Sequence, residues 1–170
     1  LGDVYKRQVF EESARKAAEI CGAKVYADSK ELINAENVDA VFIVSPGFAH
    51  VDSLLQAIEA GKRIFCEKPL CTTAEDCLKV VKAEEAAGKH LIQLGFMRRY
   101  DKGYQQIKEA LATGEYGEPL ILHCTHRNPE VGTNYNTPMA VHDTAIHEID
   151  VLHWLVDLSL IHISEPTRQE

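Results

Sequence analysis

Ala40-Val41-Phe42-Ile43-Val44 is an unbroken apolar run that stops at Ser45-Pro46-Gly47. Such a run is typical of a strand covered on both faces, as in a parallel sheet. A second short run, Arg63-Ile64-Phe65-Cys66, stops at Glu67-Lys68-Pro69. Because ligands of open α/β sheets bind beyond the carboxyl ends of the strands, these two polar stretches are the first candidates for a site.

Helical and strand patterns alternate along the first half of the chain. Strands are predicted at 24–26, 38–44, 63–66 and 90–94, and helices at 11–21, 51–60 and 72–88, with a short helix capped by Asp28. Thr72 and Glu75 have the spacing of a capping box at the start of the helix over 72–88. This order predicts an α/β fold, a partial Rossmann-type doubly wound parallel sheet over residues 9–95.

The pattern changes after Gly95. It indicates a helix around 104–111, a strand over 120–125, a polar loop over 127–140 and an amphipathic helix that begins near His142. We interpret residues 96–157 as the start of an α+β substrate domain.

The two ends, residues 1–8 and 158–170, are interpreted as adapter-like flanks. Residues 3–8 can be encoded by a DNA string whose reverse complement encodes residues 158–163. Such a pair resembles a transposon-type sequencing adapter, so both flanks are excluded from the fold prediction. We expect residues 9–157 to be a fragment of a longer protein, inactive and poorly folded by itself.

Composition excludes some partners. A net charge of −8 argues against nucleic acid, because phosphate binding needs a basic face. No apolar run approaches the ~20 residues of a membrane span. The five cysteines form no CxxC pair, which indicates buried, reduced thiols in a cytoplasmic protein.

Asp143 and His147 are four residues apart on the last predicted helix and therefore share a face. Three interpretations are open for them. They could be an acid/base dyad in which the carboxylate orients the imidazole, a metal site completed by His142 and Glu148, or a helix cap. The HExxH spacing of many zinc sites is absent. For Lys68, the plain alternative is a surface pair with Glu67.

Polar residues of the second region could recognise hydroxyl groups. His126 and Asn128 alternate to the same side of an extended chain, so both could face a polyol. The alternative is exposed loop polarity. Arg98 and Arg99 are adjacent near the predicted boundary, where an interdomain salt bridge or recognition of an anion or hydroxyl group are both open.

Taken together, these residues resemble the Gfo/Idh/MocA oxidoreductase family. The resemblance covers residues 9–157. It depends on Val38-Asp39-Ala40-Val41, Phe65-Cys66-Glu67-Lys68-Pro69-Leu70, Gly95-Phe96-Met97-Arg98-Arg99-Tyr100-Asp101, His126-Arg127-Asn128-Pro129 and His147-Glu148-Ile149-Asp150-Val151-Leu152.

The resemblance implies NAD-dependent oxidation of a cyclitol carbinol to the ketone. It makes His147 the general base, Asp143 the group that orients His147, and Lys68 the cation that stabilises the reacting oxygen. Three residues would bind other hydroxyls of the polyol substrate: Arg98, His126 and Asn128. Six would line the cofactor: Ser45, Pro46, His50, Glu67, Lys68 and Met97. The full-length protein is expected to be a homo-oligomer, a tetramer.

One departure from the family pattern is clear. The chain contains no GxGxxG turn for a pyrophosphate, and Gln8 stands near the expected position of the acidic residue that binds the ribose. The choice between NAD and NADP therefore stays open. The alternatives are a sister dehydrogenase acting on another polyol or sugar, or a non-catalytic regulator that binds a dinucleotide.

Overall fold

A computed structural model of the chain describes residues 5–6, 11–133 and 135–157. The chain divides into two compact units, one ending at Gly95 and the other beginning at Phe96. The elements of the first unit are β1 (Tyr5–Lys6), α1 (Glu11–Cys21), β2 (Lys24–Val25), α2 (Ser29–Asn34), β3 (Ala40–Ile43), α3 (His50–Glu59), β4 (Arg63–Cys66), α4 (Ala74–Ala87) and β5 (Ile92–Leu94). Those of the second are α5 (Lys102–Thr113), α6 (Thr137–Met139) and α7 (Ile146–Val156).

A parallel sheet organises the first unit, as the sequence predicted. Strands β3, β4 and β5 lie side by side in that order, with Ile43 opposite Cys66 and Cys66 opposite Leu94. Each pair of strands is joined through a helix, α3 or α4. Strands β1 and β2 form a separate parallel pair, which includes Tyr5 and Lys6 from the predicted flank. The rest of both flanks lies outside the described residues.

The sheet is covered on one face among the described residues. Side chains that alternate toward α3 and α4, such as Val41, Ile43 and Ile64, are buried. On the opposite face Phe42 is 70% exposed, and its ring lies 5.4 Å from that of Phe65. The prediction that β3 is covered on both faces is therefore wrong for this part of the chain, because no described helix packs against the second face.

Polar caps set the limits of several helices. Asp28 accepts the backbone N–H of Lys30 and caps α2, as predicted. Helix α4 is capped by Thr73, whose hydroxyl oxygen accepts the N–H of Asp76, so the predicted capping box is displaced by one residue. The helix ends at Gly88, which has the left-handed φ of +64° that favours glycine.

The second unit is helical. Helix α5 is capped by Asp101, which accepts the N–H groups of Gly103 and Tyr104, and it packs against α7. The predicted strand over 120–125 is wrong, because these residues pair with no strand of the described chain. Leu120 and Ile121 are 93% and 88% exposed. A strand requires a neighbour for its hydrogen bonds, and the described residues offer none here.

The last helical segment begins earlier than predicted and contains a wide turn. Asn136 caps α6 by accepting the N–H of Met139, and the chain stays helical to Val156. Between α6 and α7, Ala140–Ala145 forms a π-helix in which the N–H of Ile146 reaches the carbonyl of Val141. Asp143 is therefore in the middle of a helical run, and the interpretation of Asp143 as a helix cap is wrong.

The cysteines form no disulfide in the described part of the chain. Cys66 and Cys71 are buried, whereas Cys21 and Cys124 are exposed, so the prediction of buried thiols holds only for the sheet region. No helix of residues 5–6, 11–133 and 135–157 combines the length and apolar character that a membrane span requires.

Candidate active site

Two polar loops meet at the carboxyl edge of the first unit's sheet. Ser45 and Pro46 follow β3, and Glu67 follows the neighbouring strand β4. The N–H of Glu67 donates to the carbonyl of Ile43, 2.9 Å away, so the loops start side by side. Ser45 and Pro46 are exposed. This is the edge at which open parallel sheets bind ligands.

Lys68 is held by its neighbours in the second loop. Its backbone N–H donates to Glu67 Oε2 at 3.2 Å, and its peptide bond to Pro69 is cis. Gly95 packs closely against the Glu67 side chain. A Cβ at Gly95 would lie 3.3 Å from Glu67 Oε1 and 3.2 Å from the Phe65 ring, so a larger residue there would crowd Glu67. Glu67 thus supports the backbone of Lys68, and its predicted contact with the cofactor stays a prediction.

His50 is buried where the two loops meet. Its side chain is 0% exposed, and its two ring nitrogens lie 2.7 Å from the carbonyl oxygen of Ser45 and 2.9 Å from that of Pro69. The buried imidazole lies behind the two loops rather than at their surface. Its ring nitrogens contact the backbone of both loops, and its predicted place in the cofactor lining stays a prediction.

Cys66 adds a thiol to the same buried group. Its Sγ lies 3.4 Å from His50 Nδ1 and 3.2 Å from the carbonyl oxygen of Glu67. Burial, with smaller contributions from Cys71 and Glu67, raises the pKa of the Cys66 thiol to about 12. The thiol is therefore neutral at physiological pH and acts as a weak hydrogen-bonding group, not as a nucleophile.

In the second unit, the carboxylate of Glu148 joins two of the predicted substrate residues. Arg98 Nη1 lies 2.5 Å from Glu148 Oε2, and His126 Nδ1 lies 2.9 Å from Glu148 Oε1. Arg98 Nη2 is 3.2 Å from the same nitrogen of His126. The hydrogen bond from Arg98 raises the pKa of its own guanidinium. Burial alone would raise the pKa of Glu148, but its bonds to Arg98 and His126 outweigh burial and lower it.

The third predicted substrate residue extends this chain of contacts. His126 Nε2 lies 3.0 Å from Asn128 Oδ1, and the Asn128 amide donates to Thr144 Oγ1 at 3.4 Å. Tyr135 places its hydroxyl 2.8 Å from the same Thr144 oxygen. Arg98, His126 and Asn128 are thus brought together, whereas Arg99 pairs with Asp150, within the same unit. Both arginines therefore pair with carboxylates of their own unit, and neither of these two pairs is the interdomain salt bridge considered from the sequence.

Three residues of this network were not predicted as site residues: Glu148, Thr144 and Tyr135. The sequence suggested Glu148 only as a possible metal ligand. Its contact with His126 spans 22 residues, and no local pattern predicts such a contact. No local signal marks Tyr135 or Thr144, because their contacts span 9 and 16 residues and follow neither a helical nor a strand period.

Asp143 and His147 lie on either side of the change from π-helix to α-helix. His147 is buried, with 7% of its surface exposed. The Asp143 carboxylate lies 2.9 Å from His142 Nδ1. Wide helical turns of this kind occur frequently at functional sites. Among residues 5–6, 11–133 and 135–157, no group of three or more His, Cys, Asp or Glu residues is placed to hold a metal ion.

Lys68 belongs to the first unit, and Asp143 and His147 belong to the second. The predicted convergence of these three side chains stays a prediction. Met97, in the short 3-10 helix Met97–Tyr100 of the second unit, is 65% exposed, and its predicted contact with the cofactor also stays a prediction.

Two family models match the chain. Residues 8–96 match the oxidoreductase family with an NAD-binding Rossmann fold, and residues 104–165 match the Gfo/Idh/MocA C-terminal domain. The chain therefore belongs to the Gfo/Idh/MocA family of oxidoreductases, and the predicted fold class and family are confirmed.

Its relatives are named as inositol dehydrogenases. The chain is 61% identical over 135 residues to inositol 2-dehydrogenase/D-chiro-inositol 3-dehydrogenase of Halalkalibacterium halodurans, which covers 79% of this chain and 39% of that protein. It is 57% identical over 136 residues to inositol 2-dehydrogenase of Pseudomonas syringae, covering 80% and 40%. A crystal structure of myo-inositol dehydrogenase from Lactobacillus casei with NAD(H) and myo-inositol superimposes with a TM-score of 0.85 at 45% identity, covering 92% and 46%. The chain thus spans less than half the length of these relatives.

Proposed function

We propose that this chain is part of an NAD-dependent dehydrogenase that oxidises myo-inositol to 2-keto-myo-inositol. The names of the relatives support this substrate, and so does the L. casei structure, which contains NAD(H) and myo-inositol. Because the chain spans 39% of the first of these proteins, the activity is proposed for the complete reading frame recovered from the same source DNA. We call that product the full-length protein.

The observation that carries the proposal is the hydrogen-bonded set around Glu148. Arg98, His126 and Asn128 come from separate parts of the sequence and form one connected network. A cyclitol carries a ring of hydroxyl groups, each of which both donates and accepts. A cluster that offers guanidinium, imidazole and amide groups suits such a ligand, and we propose these three residues as its binding groups.

We propose three residues for the proton and charge chemistry. His147 takes the proton from the reacting hydroxyl as general base, and the Asp143 carboxylate orients the imidazole and stabilises its protonated form. Lys68 donates a hydrogen bond to the reacting oxygen, on which negative charge grows as the C–H bond breaks. A fixed ammonium at that position lowers the barrier because it acts where charge develops.

The residues at the carboxyl edge of the sheet fit a dinucleotide. Ser45 and Pro46 are exposed there, and Glu67 and Lys68 lie in the adjacent loop. We propose that these residues and Met97 hold the nicotinamide half of NAD, with His50 supporting them from behind. When bound, NAD supplies the hydride acceptor.

Three coarser expectations accompany this function. We propose that residues 9–95 form part of the dinucleotide-binding domain and residues 96–157 the start of the substrate domain. We also propose that the full-length protein is a cytoplasmic homo-oligomer, a tetramer.

The test is an NAD-reduction assay of the full-length protein with myo-inositol, D-chiro-inositol, scyllo-inositol and glucose. We expect turnover with myo-inositol. Turnover with glucose alone would replace the proposal by a sister sugar dehydrogenase, and NAD binding without any turnover would favour a regulator.

A matched pair of lysine variants sharpens the assay. Lys68→Met should lower kcat about 100-fold or more, because it removes the charge next to the developing oxyanion. Lys79→Met removes an exposed lysine of the same unit, with a side chain that is 63% exposed, and should leave kcat unchanged. Equal effects of the two substitutions would contradict the role proposed for Lys68.

A further inference from the structure

His50 contacts both loops of the carboxyl edge at once. It is the first residue of α3, and its imidazole is fully buried. Nε2 lies 2.7 Å from the carbonyl oxygen of Ser45, and Nδ1 lies 2.9 Å from that of Pro69 and 3.3 Å from that of Leu70. Carbonyl oxygens only accept hydrogen bonds, so a ring nitrogen bonds its carbonyl only when that nitrogen carries a proton. A neutral ring offers one N–H and a protonated ring two, and in either state the ring lies between the same two backbones.

The two loops also touch directly at a position where a side chain does not fit. A Cβ at Gly47 would lie 2.9 Å from Cγ and 3.0 Å from Cδ of Pro69. The pyrrolidine ring is rigid and cannot bend away as a flexible side chain would. Gly47 therefore sets how closely the loop after β3 approaches the loop after β4, and His50 binds the pair from the buried side.

Each loop carries one part of the proposed chemistry. The loop after β3 holds Ser45 and Pro46, proposed for the cofactor, and the loop after β4 holds Lys68, proposed for the reacting oxygen. An error of about 1 Å between such groups can cost about 100-fold in rate. The relative position of the two loops should therefore affect the rate, and the residue that contacts both of them is the fully buried His50.

We propose that His50 is a positioning residue whose imidazole fixes the Lys68 loop relative to the Ser45 loop, because each ring nitrogen lies within hydrogen-bonding distance of a carbonyl oxygen of one loop. The kinetic part of this inference rests on the proposed function, because it assigns kcat to one loop and cofactor affinity to the other. The neutral thiol of Cys66, 3.4 Å from Nδ1, packs against the ring without adding a charge.

Two amide substitutions separate the two hydrogen bonds. The amide of asparagine occupies roughly the place of Nδ1, and that of glutamine roughly the place of Nε2. His50→Asn should therefore keep the bond to Pro69, and His50→Gln should keep the bond to Ser45. His50→Ala removes both bonds.

The measurement is the steady-state kinetics of the full-length protein with myo-inositol and NAD. We expect His50→Asn to raise the KM for NAD about tenfold with little change in kcat, and His50→Gln to lower kcat about tenfold with little change in that KM. His50→Ala should show both effects, with kcat lower by about 100-fold. Gly47→Ala, which forces the loops apart without touching the ring, should resemble His50→Ala.

A matched control separates positioning from general destabilisation. Ile33→Val alters a buried side chain of the same core, 1% exposed, and should lower the Tm while leaving kcat and KM unchanged. If the His50 variants change kcat and KM together and in proportion to Tm, or change neither, the inference is overturned.

Amide hydrogen exchange provides a readout that does not depend on turnover. In the full-length protein, His50→Asn should increase exchange in peptides covering 43–49 but not in those covering 66–72, and His50→Gln should do the reverse. Equal exchange in both loops for both variants would overturn the inference. A wild-type protein without inositol activity would overturn the proposed function but would leave this measurement decisive for His50.

Discussion

Each unit of the chain is stabilised internally by a different kind of interaction. The first has a continuous apolar core in which Leu54, Ala57 and Cys66 are fully buried. In the second, Val151 is the buried apolar residue among those described, and the other two buried side chains are His147 and Asp150. Leu120 and Ile121 in that unit are almost fully exposed.

Polar contacts replace the core in the second unit. The Asp150 carboxylate pairs with Arg99, and the Glu148 carboxylate contacts both Arg98 and His126. Lys108 lies 4.8 Å from the centre of the Trp154 ring and donates a hydrogen bond to the Trp154 carbonyl. Apolar burial is indifferent to pH and direction, whereas ion pairs depend on both. The sheet unit is therefore stabilised mainly by apolar burial, and the side-chain geometry of the helical unit depends on charge.

The largest effect is expected in the apolar core. Leu54→Ala removes a fully buried side chain from α3 and should lower the free energy of unfolding of the full-length protein by about 3 kcal/mol. Glu59→Ala, an exposed change on the same helix, should alter it by less than about 0.5 kcal/mol. Urea denaturation measures both. A small loss for Leu54→Ala would contradict the distinction between the units.

An intermediate and asymmetric effect is expected at the pair of Arg99 and Asp150. The Asp150 side chain is 5% exposed and that of Arg99 is 38% exposed. Arg99→Ala leaves a buried carboxylate without its partner and should cost about 2 kcal/mol, reduced from the value for a fully buried pair because Arg99 is partly in water. Asp150→Ala leaves an arginine that can reach solvent and should cost about 1 kcal/mol. Equal losses in urea denaturation would show that burial does not decide this pair.

A third effect, at Glu148, depends on pH. The pKa of Glu148 is lowered in the folded protein from its ordinary value of 4.5, so the carboxylate contributes stability above pH 4.5 that is lost as the pH falls through the folded pKa. Glu148→Gln should cost about 1.5 kcal/mol at pH 7, the value of a hydrogen bond to a charged group, and less at acid pH. Urea denaturation at pH 7 and below pH 4 tests this. A cost that does not shrink on acidification would mean that the Glu148 charge is not what holds Arg98 and His126.

The sequence predicts those features that local periodicity controls. Helix α1 and strand β4 have the predicted bounds, because a helical stripe or a short apolar run is complete within its own segment. The capping residue of α4 differs by one position because Thr72 and Thr73 are adjacent and both can cap. The strand over 120–125 is wrong because a strand depends on a partner, which the segment itself does not contain.

The site follows the same division. Lys68 is recognisable because it lies two residues after the end of a strand. The contact of His50 with Pro69 spans 19 residues and that of Arg98 with Glu148 spans 50, and no local pattern encodes either. These two contacts can be found only from coordinates. The residues at the strand ends can be predicted from sequence, because parallel strands place their carboxyl ends at the same edge of the sheet.

The π-helix at Ala140–Ala145 has a consequence for how His142 and Asp143 are aimed. One additional residue in a helical run rotates everything upstream by about 100° relative to everything downstream, since an α-helix has 3.6 residues per turn. The π-helix thus changes the direction, about the helix axis, of the Asp143 side chain relative to that of the His147 side chain. Deleting one residue of the π-helix would leave a longer, regular α-helix in which the Asp143 and His147 side chains point in different directions about the axis than they do here.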